Sequence, residues 1–207
     1  MTSRRTLLAL TSGLALVPTA LLAQAPQSSA PETDPRLTER SFGRADAPVT
    51  VLEHFSLTCG HCAAFHTGTW PRVKSELVAA GRMRLVFRDF PLDSVALAAA
   101  VIARSLPPER YEPFLTTLFA SQNRWAFVRG GNPAEELAKL AAVAGLSRGQ
   151  FDEALADQAL ARGILEQRVQ AQQQFNVAST PTFVFGTRVV PGNMDFARFA
   201  QLVSETR

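Results

Sequence analysis

Both cysteines of this 207-residue chain, Cys59 and Cys62, lie in the stretch HFSLTCGHCAAFH (residues 54–66), with only Gly60 and His61 between them. A bridge closing so short a loop removes little chain entropy, which makes a purely structural disulfide a poor reason for the pair. Reversible chemistry is a better one. A thiol attacks only as thiolate, and a cysteine at the first turn of a helix meets unpaired amide N–H groups and the positive end of the helix dipole. Cys59 holds that place and is predicted to be the nucleophile. Cys62, a turn further along, is predicted to be less exposed and to resolve. His61 can offer an imidazolium or a ring N–H to the Cys59 anion. A stabilised thiolate favours the reduced pair, so the oxidised pair becomes a stronger oxidant.

Metal binding is the other chemistry open to two thiols, with His61 or His66 supplying nitrogen. Structural zinc takes four well-placed ligands. From inside the loop His61 cannot easily close a tetrahedron with both thiolates, and the chain has no second CxxC and no HxxxH. No metal and no cofactor is expected. His66, four residues after Cys62, is assigned to packing or solvent contact.

Residues 47–57 (APVTVLEHFSL) have apolar side chains on both alternating faces and predict a buried strand that delivers the chain to Cys59. Glu53 is the odd residue in it. A buried unpaired charge is costly and its pKa would rise, so Glu53 is a working acid, a salt-bridge partner or a residue exposed at a strand edge. After Cys62, Phe65, Val73, Leu77 and a terminal Gly81 predict a helix kinked near Pro71. Residues 82–92 alternate again and predict a second strand ending near Arg88. Residues 93–179 carry helix signals almost throughout: Asp93 ahead of SVALAAAVIARS, and Asn132-Pro133 with Glu135 as a capping box. Ser147 with Gln150 forms a second box that opens a long helix toward Phe175. Residues 180–192 predict two short strands, Phe183–Phe185 and Arg188–Val190, turned at Gly186-Thr187, and MDFARFAQLVSE predicts a closing amphipathic helix. The order fits an α/β core interrupted by an all-helical insertion.

Arg4 and Arg5 precede the apolar run Leu7 to Leu22, and Ala23-Gln24-Ala25 follows it, so residues 1–25 read as an export signal, twin-arginine-like in SRRTLLAL. An uncleaved membrane anchor is the alternative; Pro18 and the polar Thr11, Ser12 and Thr19 argue against it. Residues 26–36 (PQSSAPETDPR) read as a flexible leader, too short to fold as a domain, which favours a monomer. Export points to the periplasm, where disulfides persist. Removing residues 1–25 takes two arginines and no acids from 21 basic and 18 acidic residues, and the net charge falls from +3 to +1. With no basic cluster among aromatics and no Gly-rich phosphate loop, nucleic-acid binding and nucleotide chemistry have no support.

The segments VLEHFSLTCGHCAAFH, LVFRDFPL and VASTPTFVFG, with the helical block between the last two, resemble the periplasmic thiol:disulfide oxidoreductases of the DsbA-like branch of the thioredoxin superfamily, over about residues 37–205. The resemblance implies a thioredoxin fold from residues 37–92 and 180–207, with residues 93–179 as an inserted helical domain. It also implies oxidation of dithiols in unfolded or partly folded exported proteins through a Cys59–Cys62 disulfide, and a membrane redox partner that recharges the pair. Thr180-Pro181 matches the family's cis-proline loop, which faces the CxxC and pairs by its backbone with an extended substrate segment. Gly60 is counted with these two as substrate-binding. Glu53 matches a buried acid that assists proton movement to and from the resolving cysteine. Where the best-known bacterial oxidants have Pro-His, this chain has Gly60-His61, the dipeptide of eukaryotic disulfide isomerases, and Thr180 stands before the proline as in bacterial isomerases and some reductases. Both departures imply a milder oxidant. Disulfide isomerisation or reduction is the alternative activity, and a metal-binding chaperone using the same cysteines is a third reading.

Overall fold

The computed structural model describes residues 34–206. The expected export signal, residues 1–25, and residues 26–33 of the expected leader lie outside the described residues. Five strands, β1 (Arg40–Phe42), β2 (Val49–Phe55), β3 (Met83–Asp89), β4 (Thr182–Phe185) and β5 (Arg188–Pro191), form one sheet in the order β1-β3-β2-β4-β5. Only β2 and β3 pair in parallel, from Val49 opposite Met83 to Phe55 opposite Asp89. A parallel pair needs a crossover, and here it is the helical run that starts at the CxxC.

That run consists of α1 (Gly60–Ala64), a π-helical turn (Phe65–Thr69), α2 (Trp70–Val73) and a second π-helical turn (Lys74–Val78). The kink expected at Pro71 takes the form of a widened turn: the Trp70 amide reaches back five residues to the Phe65 carbonyl, so the backbone passes the proline without a break. Between β3 and β4 every element is helical: α3 (Ser94–Ser105), α4 (Pro108–Ala120), α5 (Gln122–Trp125), α6 (Pro133–Val143), α7 (Arg148–Ala156) and α8 (Gln158–Phe175). The last helix, α9 (Phe196–Glu205), follows β5. Among the described residues no helix is long and apolar enough to cross a membrane. The fold is a mixed five-stranded sheet with a substantial block of helix inserted between β3 and β4.

β2 is buried on both faces, which explains its near-continuous apolar character. Phe55 on one face meets Phe119 of α4, with ring centroids 5.9 Å apart, and on the same side Phe183 of β4 packs on Phe65 at 4.7 Å and on Phe199 of α9 at 5.6 Å. On the other face the His54 ring lies 5.7 Å from that of Phe175 of α8, and half-buried Leu52 lines a cleft with both. Burial, reinforced by the nearby Arg88 charge, pulls the His54 pKa to about 4, so this imidazole is neutral at pH 7.

Three expectations need correction. The leader does not run through Arg36, because Pro35–Leu37 form a 3₁₀ turn in which the Asp34 carboxylate accepts from the Arg36 amide and Arg36 also pairs with Asp157. Asn132 caps α6 by accepting from the Ala134 amide, but Glu135 does not complete the box; its carboxylate is held by Arg148 at 2.9 Å. The helix opened by the Ser147–Gln150 box stops at Ala156, where Asp157 breaks the run and caps α8.

The helical segment is tied to the sheet by a buried ion pair. Arg104 of α3 donates to Asp89 at 2.5 Å and to the carbonyls of Arg36 and Thr38 at 2.8 and 3.2 Å, and the Tyr111 hydroxyl donates to the same Asp89. Arg104→Met leaves the Asp89 charge buried without its cation and is expected to cost about 3–5 kcal/mol in urea unfolding. Adding Asp89→Leu to it should recover much of that loss; a double variant as unstable as the sum of the singles would show that the pair is not the unit.

Candidate active site

β2 ends at Phe55, and the chain turns through Ser56, Leu57 and Thr58 to Cys59, which is the N-cap of α1 in extended backbone (φ −82°, ψ 118°). The turn is pinned from the helical segment at two points. Thr58 donates its hydroxyl to Asp93 at 2.6 Å, and Asp93 also caps α3 through the Ala96 amide. Gln122 of α5, itself buried, donates its amide to the carbonyls of Leu57 and Cys59 at 2.8 and 3.1 Å. With the backbone held this way, the Cys59 side chain stays at the opening of α1.

Both cysteines are free thiols, and their environments differ sharply. Cys59 is half-buried. A hydrogen bond from the Cys62 side chain is the largest influence on it, followed by the Thr180 side chain and the amides of Cys62 and His61; against the opposition of burial, these pull the thiol from 9.0 to about 5. Thr180 acts in two senses. Its carbonyl accepts from the neutral Cys59 thiol at 3.2 Å, whereas its hydroxyl, buried with no hydrogen-bond partner, gains an acceptor when that thiol ionises. Cys62 is fully buried, and burial first, then the neighbouring Cys59 and the Glu53 charge, push its thiol far above the ordinary range. At neutral pH one sulfur is a half-buried anion at the helix opening and the other a proton-bearing thiol in the core.

Glu53 lies behind Cys62, completely buried, and both its oxygens bind His66 Nε2, at 2.9 and 3.1 Å. His66 stacks on Phe119 with centroids 4.2 Å apart. The structure thus gives Glu53 a partner and removes exposure at a strand edge from the readings open for it, and it removes solvent contact from those open for His66. Gly60 and His61 are exposed, and it is the His61 amide that ranks among the groups favouring the Cys59 anion. Thr180 and Pro181 are buried beside Cys59, and the peptide bond between them is cis. Among the described residues no group of three or more His, Cys, Asp or Glu side chains is placed to hold a metal ion.

The sequence model of the family described as thioredoxin matches residues 36–205, most of the chain and all of this site. The chain belongs to the thioredoxin family. Among relatives, a protein of Rickettsia bellii named as a protein-disulfide oxidoreductase is 22% identical over 143 residues, covering 69% of this chain and 54% of the relative. A Rickettsia typhi protein of the same designation is 27% identical over 115 residues, covering 55% and 42%. The chain thus spans about half the length of these curated relatives. Among solved structures, alpha-DsbA1 of Wolbachia pipientis superposes with a TM-score of 0.75 at 24% identity over 83% of this chain and 94% of that one. Oxidised BdbD of Bacillus subtilis superposes with a TM-score of 0.72 at 20% identity over 81% and 92%. The fold is thus that of DsbA proteins within the thioredoxin family.

Every site residue expected from the sequence except the exposed His61 ring is brought into the arrangement around the two sulfurs. Three contributors were not anticipated. His66 could have been found, because a carboxyl in a buried strand requires a partner and a histidine one turn beyond Cys62 is within helical reach of it. Asp93 was read only as a helix cap. Nothing in the sequence separates Gln122 from other glutamines.

The depressed Cys59 pKa sets the sign of a pH effect. Between about pH 5 and 9 the unfolded thiol holds a proton that the folded one has released, so the stability of the reduced protein rises with pH across that window, is complete above 9 and is lost as pH falls through 5. Alkylation of Cys59 by iodoacetamide should follow the same ionisation, with a midpoint near pH 5. Cys62→Ala should move the midpoint up most, and Thr180→Val should move it up less. A midpoint unmoved by Cys62→Ala would mean that the helix amides alone create the thiolate.

Proposed function

We propose that the protein is a periplasmic dithiol–disulfide exchange enzyme that oxidises exported proteins through a Cys59–Cys62 disulfide. The observation that carries this reading is the placement of two thiols one helical turn apart, Cys59 half-buried at the helix opening against the Thr180 carbonyl and Cys62 fully buried. The names of the Rickettsia relatives support the activity class, and the twin-arginine-like export signal expected over residues 1–25 supports the compartment.

In the forward reaction a substrate thiolate attacks Cys59 Sγ of the enzyme disulfide, the S–S bond breaks, and the electron pair leaves on Cys62, which takes up a proton. A second substrate thiolate then attacks the substrate sulfur of the mixed disulfide, and Cys59 departs as thiolate. The substrate loses two electrons and the enzyme gains them. A good leaving thiolate speeds the second step, and Cys59 is suited to be one because its anion is stabilised before the reaction starts. Glu53, close enough for its charge to raise the Cys62 thiol, is the group we assign to proton traffic at that sulfur, with His66 holding its carboxylate in place. The Thr180 backbone lies beside Cys59, where an extended substrate segment would pair, with Pro181 and Gly60 bordering it. Clients are unfolded exported chains with free thiols, and a membrane partner reoxidises the monomeric enzyme.

Cys62→Ser is expected to trap mixed disulfides with client proteins that a reductant releases, while Cys59→Ser abolishes exchange. Full turnover by Cys62→Ser would reverse the assigned roles. Equilibration with glutathione decides the direction of electron flow. A pair reduced by weakly reducing mixtures marks a disulfide donor. A pair that stays oxidised until strongly reducing conditions marks a thiol donor, consistent with the Gly60-His61 dipeptide and Thr180, and would overturn the oxidase reading.

A further inference from the structure

Where β1 meets the helical segment, a groove of about 670 Å³ runs between Pro35–Arg40 on one side and the α3–α4 and α6–α7 junctions on the other. Among the described residues four arginines line it, Arg36, Arg40, Arg104 and Arg110, and no acidic residue does. Two of the four are compensated from outside the groove: Arg36 by Asp34 and Asp157, and Arg104 by Asp89.

Arg40 is different. It is only 7% exposed, its Nε is buried with no hydrogen-bond partner, and among the described residues no carboxylate pairs with it. Its guanidinium sits 5.9 Å from the centroid of the Tyr111 ring, and the Asp89 carboxylate beyond is already taken by Arg104 and the Tyr111 hydroxyl. Arg110, at the rim, donates one N–H to the Ala144 carbonyl at 2.7 Å and likewise has no carboxylate partner among the described residues. Burial first, then the Arg104 charge, work against the charged form of Arg40, and Tyr111 and Asp89 only partly offset them, yet a guanidinium does not surrender its proton at neutral pH. A buried guanidinium with no carboxylate bonded to it is costly, and a groove offering two guanidinium forks free of carboxylate partners has the geometry to relieve that cost with an external ligand.

We propose that this groove binds an oxyanion, a phosphate or carboxylate group, with Arg40 at its floor and Arg110 at its rim. The groove has room for a group larger than a single phosphate, so the anion can be a soluble polyanion or the phosphate headgroup of a lipid. The site lies outside the dithiol machinery, and neither arginine takes part in the exchange reaction.

Titration calorimetry on the purified full chain with inorganic tripolyphosphate, at fixed ionic strength, tests the site. Saturable one-to-one binding is expected, weakened at least tenfold by Arg40→Met and severalfold by Arg110→Gln. The rim variant keeps the test valid if the buried substitution perturbs folding. No saturable binding to the wild type, or equal binding by both variants, would overturn the proposal. Co-sedimentation with phosphatidylglycerol–phosphatidylcholine vesicles that Arg40→Met abolishes assigns the lipid source; tripolyphosphate binding without co-sedimentation assigns the soluble one. The pH midpoint of Cys59 alkylation should be the same in both variants, which separates failure of this site from failure of the exchange reading.

Discussion

The structure turns on the inequality of two sulfurs placed three residues apart on one helix. Cys59 stands before the first turn, where amides have no intrahelical acceptor, and Cys62 faces the core with no access to water. The two effects reinforce each other. A thiol that cannot ionise is a committed hydrogen-bond donor, and the Cys62 side chain is the largest influence holding Cys59 as an anion. The acidity of Cys59 is therefore set jointly by the helix opening and by the burial of its partner. The chain maintains that geometry by burying β2 on both faces and seating the following helix on it.

The helices between β3 and β4 do more than cover the sheet. Asp93 opens α3 and holds Thr58, and Gln122 opens α5 and holds the carbonyls of Leu57 and Cys59. The loop that carries the nucleophile is thus fastened by residues 35 to 65 positions later in the chain. On the far side, Thr180 returns from the helical segment to place its backbone carbonyl on Cys59. Two strand-like segments and two helix starts converge on one sulfur, and the insertion is what brings the helix starts there.

Local chemistry was legible in the sequence. A CxxC at a strand-to-helix junction, the Asp93 and Ser147 caps, and the turn at Gly186-Thr187 each depend on residues within a few positions of one another, and each stands in the structure at or near its expected place. What was missed depends on distant pairing. β1 is three residues long, too short for a period-two pattern, and exists because Arg40–Phe42 pair with β3. Glu135 completes a capping box by local rules but lies within reach of Arg148, whose position follows from the packing of α6 and α7. Asp157 reads as a polar residue inside a long helical run, and it ends that run because its carboxylate caps the next helix while holding Arg36.

Glu53 shows how the buried part of the site fits its chemistry. A carboxylate in the core would ordinarily be strongly destabilising, and here the pairing with His66 offsets that cost, while stacking on Phe119 fixes the ring and with it the position of the carboxylate. The charge that remains acts on Cys62, the one sulfur whose proton must come and go as the disulfide opens and closes. Placing the same charge near Cys59 would oppose the thiolate on which exchange depends. The chain path avoids this: Glu53 sits mid-strand, bonded to His66 one turn beyond Cys62, and Cys59 lies beyond the strand end, past Phe55 and the pinned turn. One carboxylate can therefore hold the proton on the buried thiol without raising the pKa of the half-buried one.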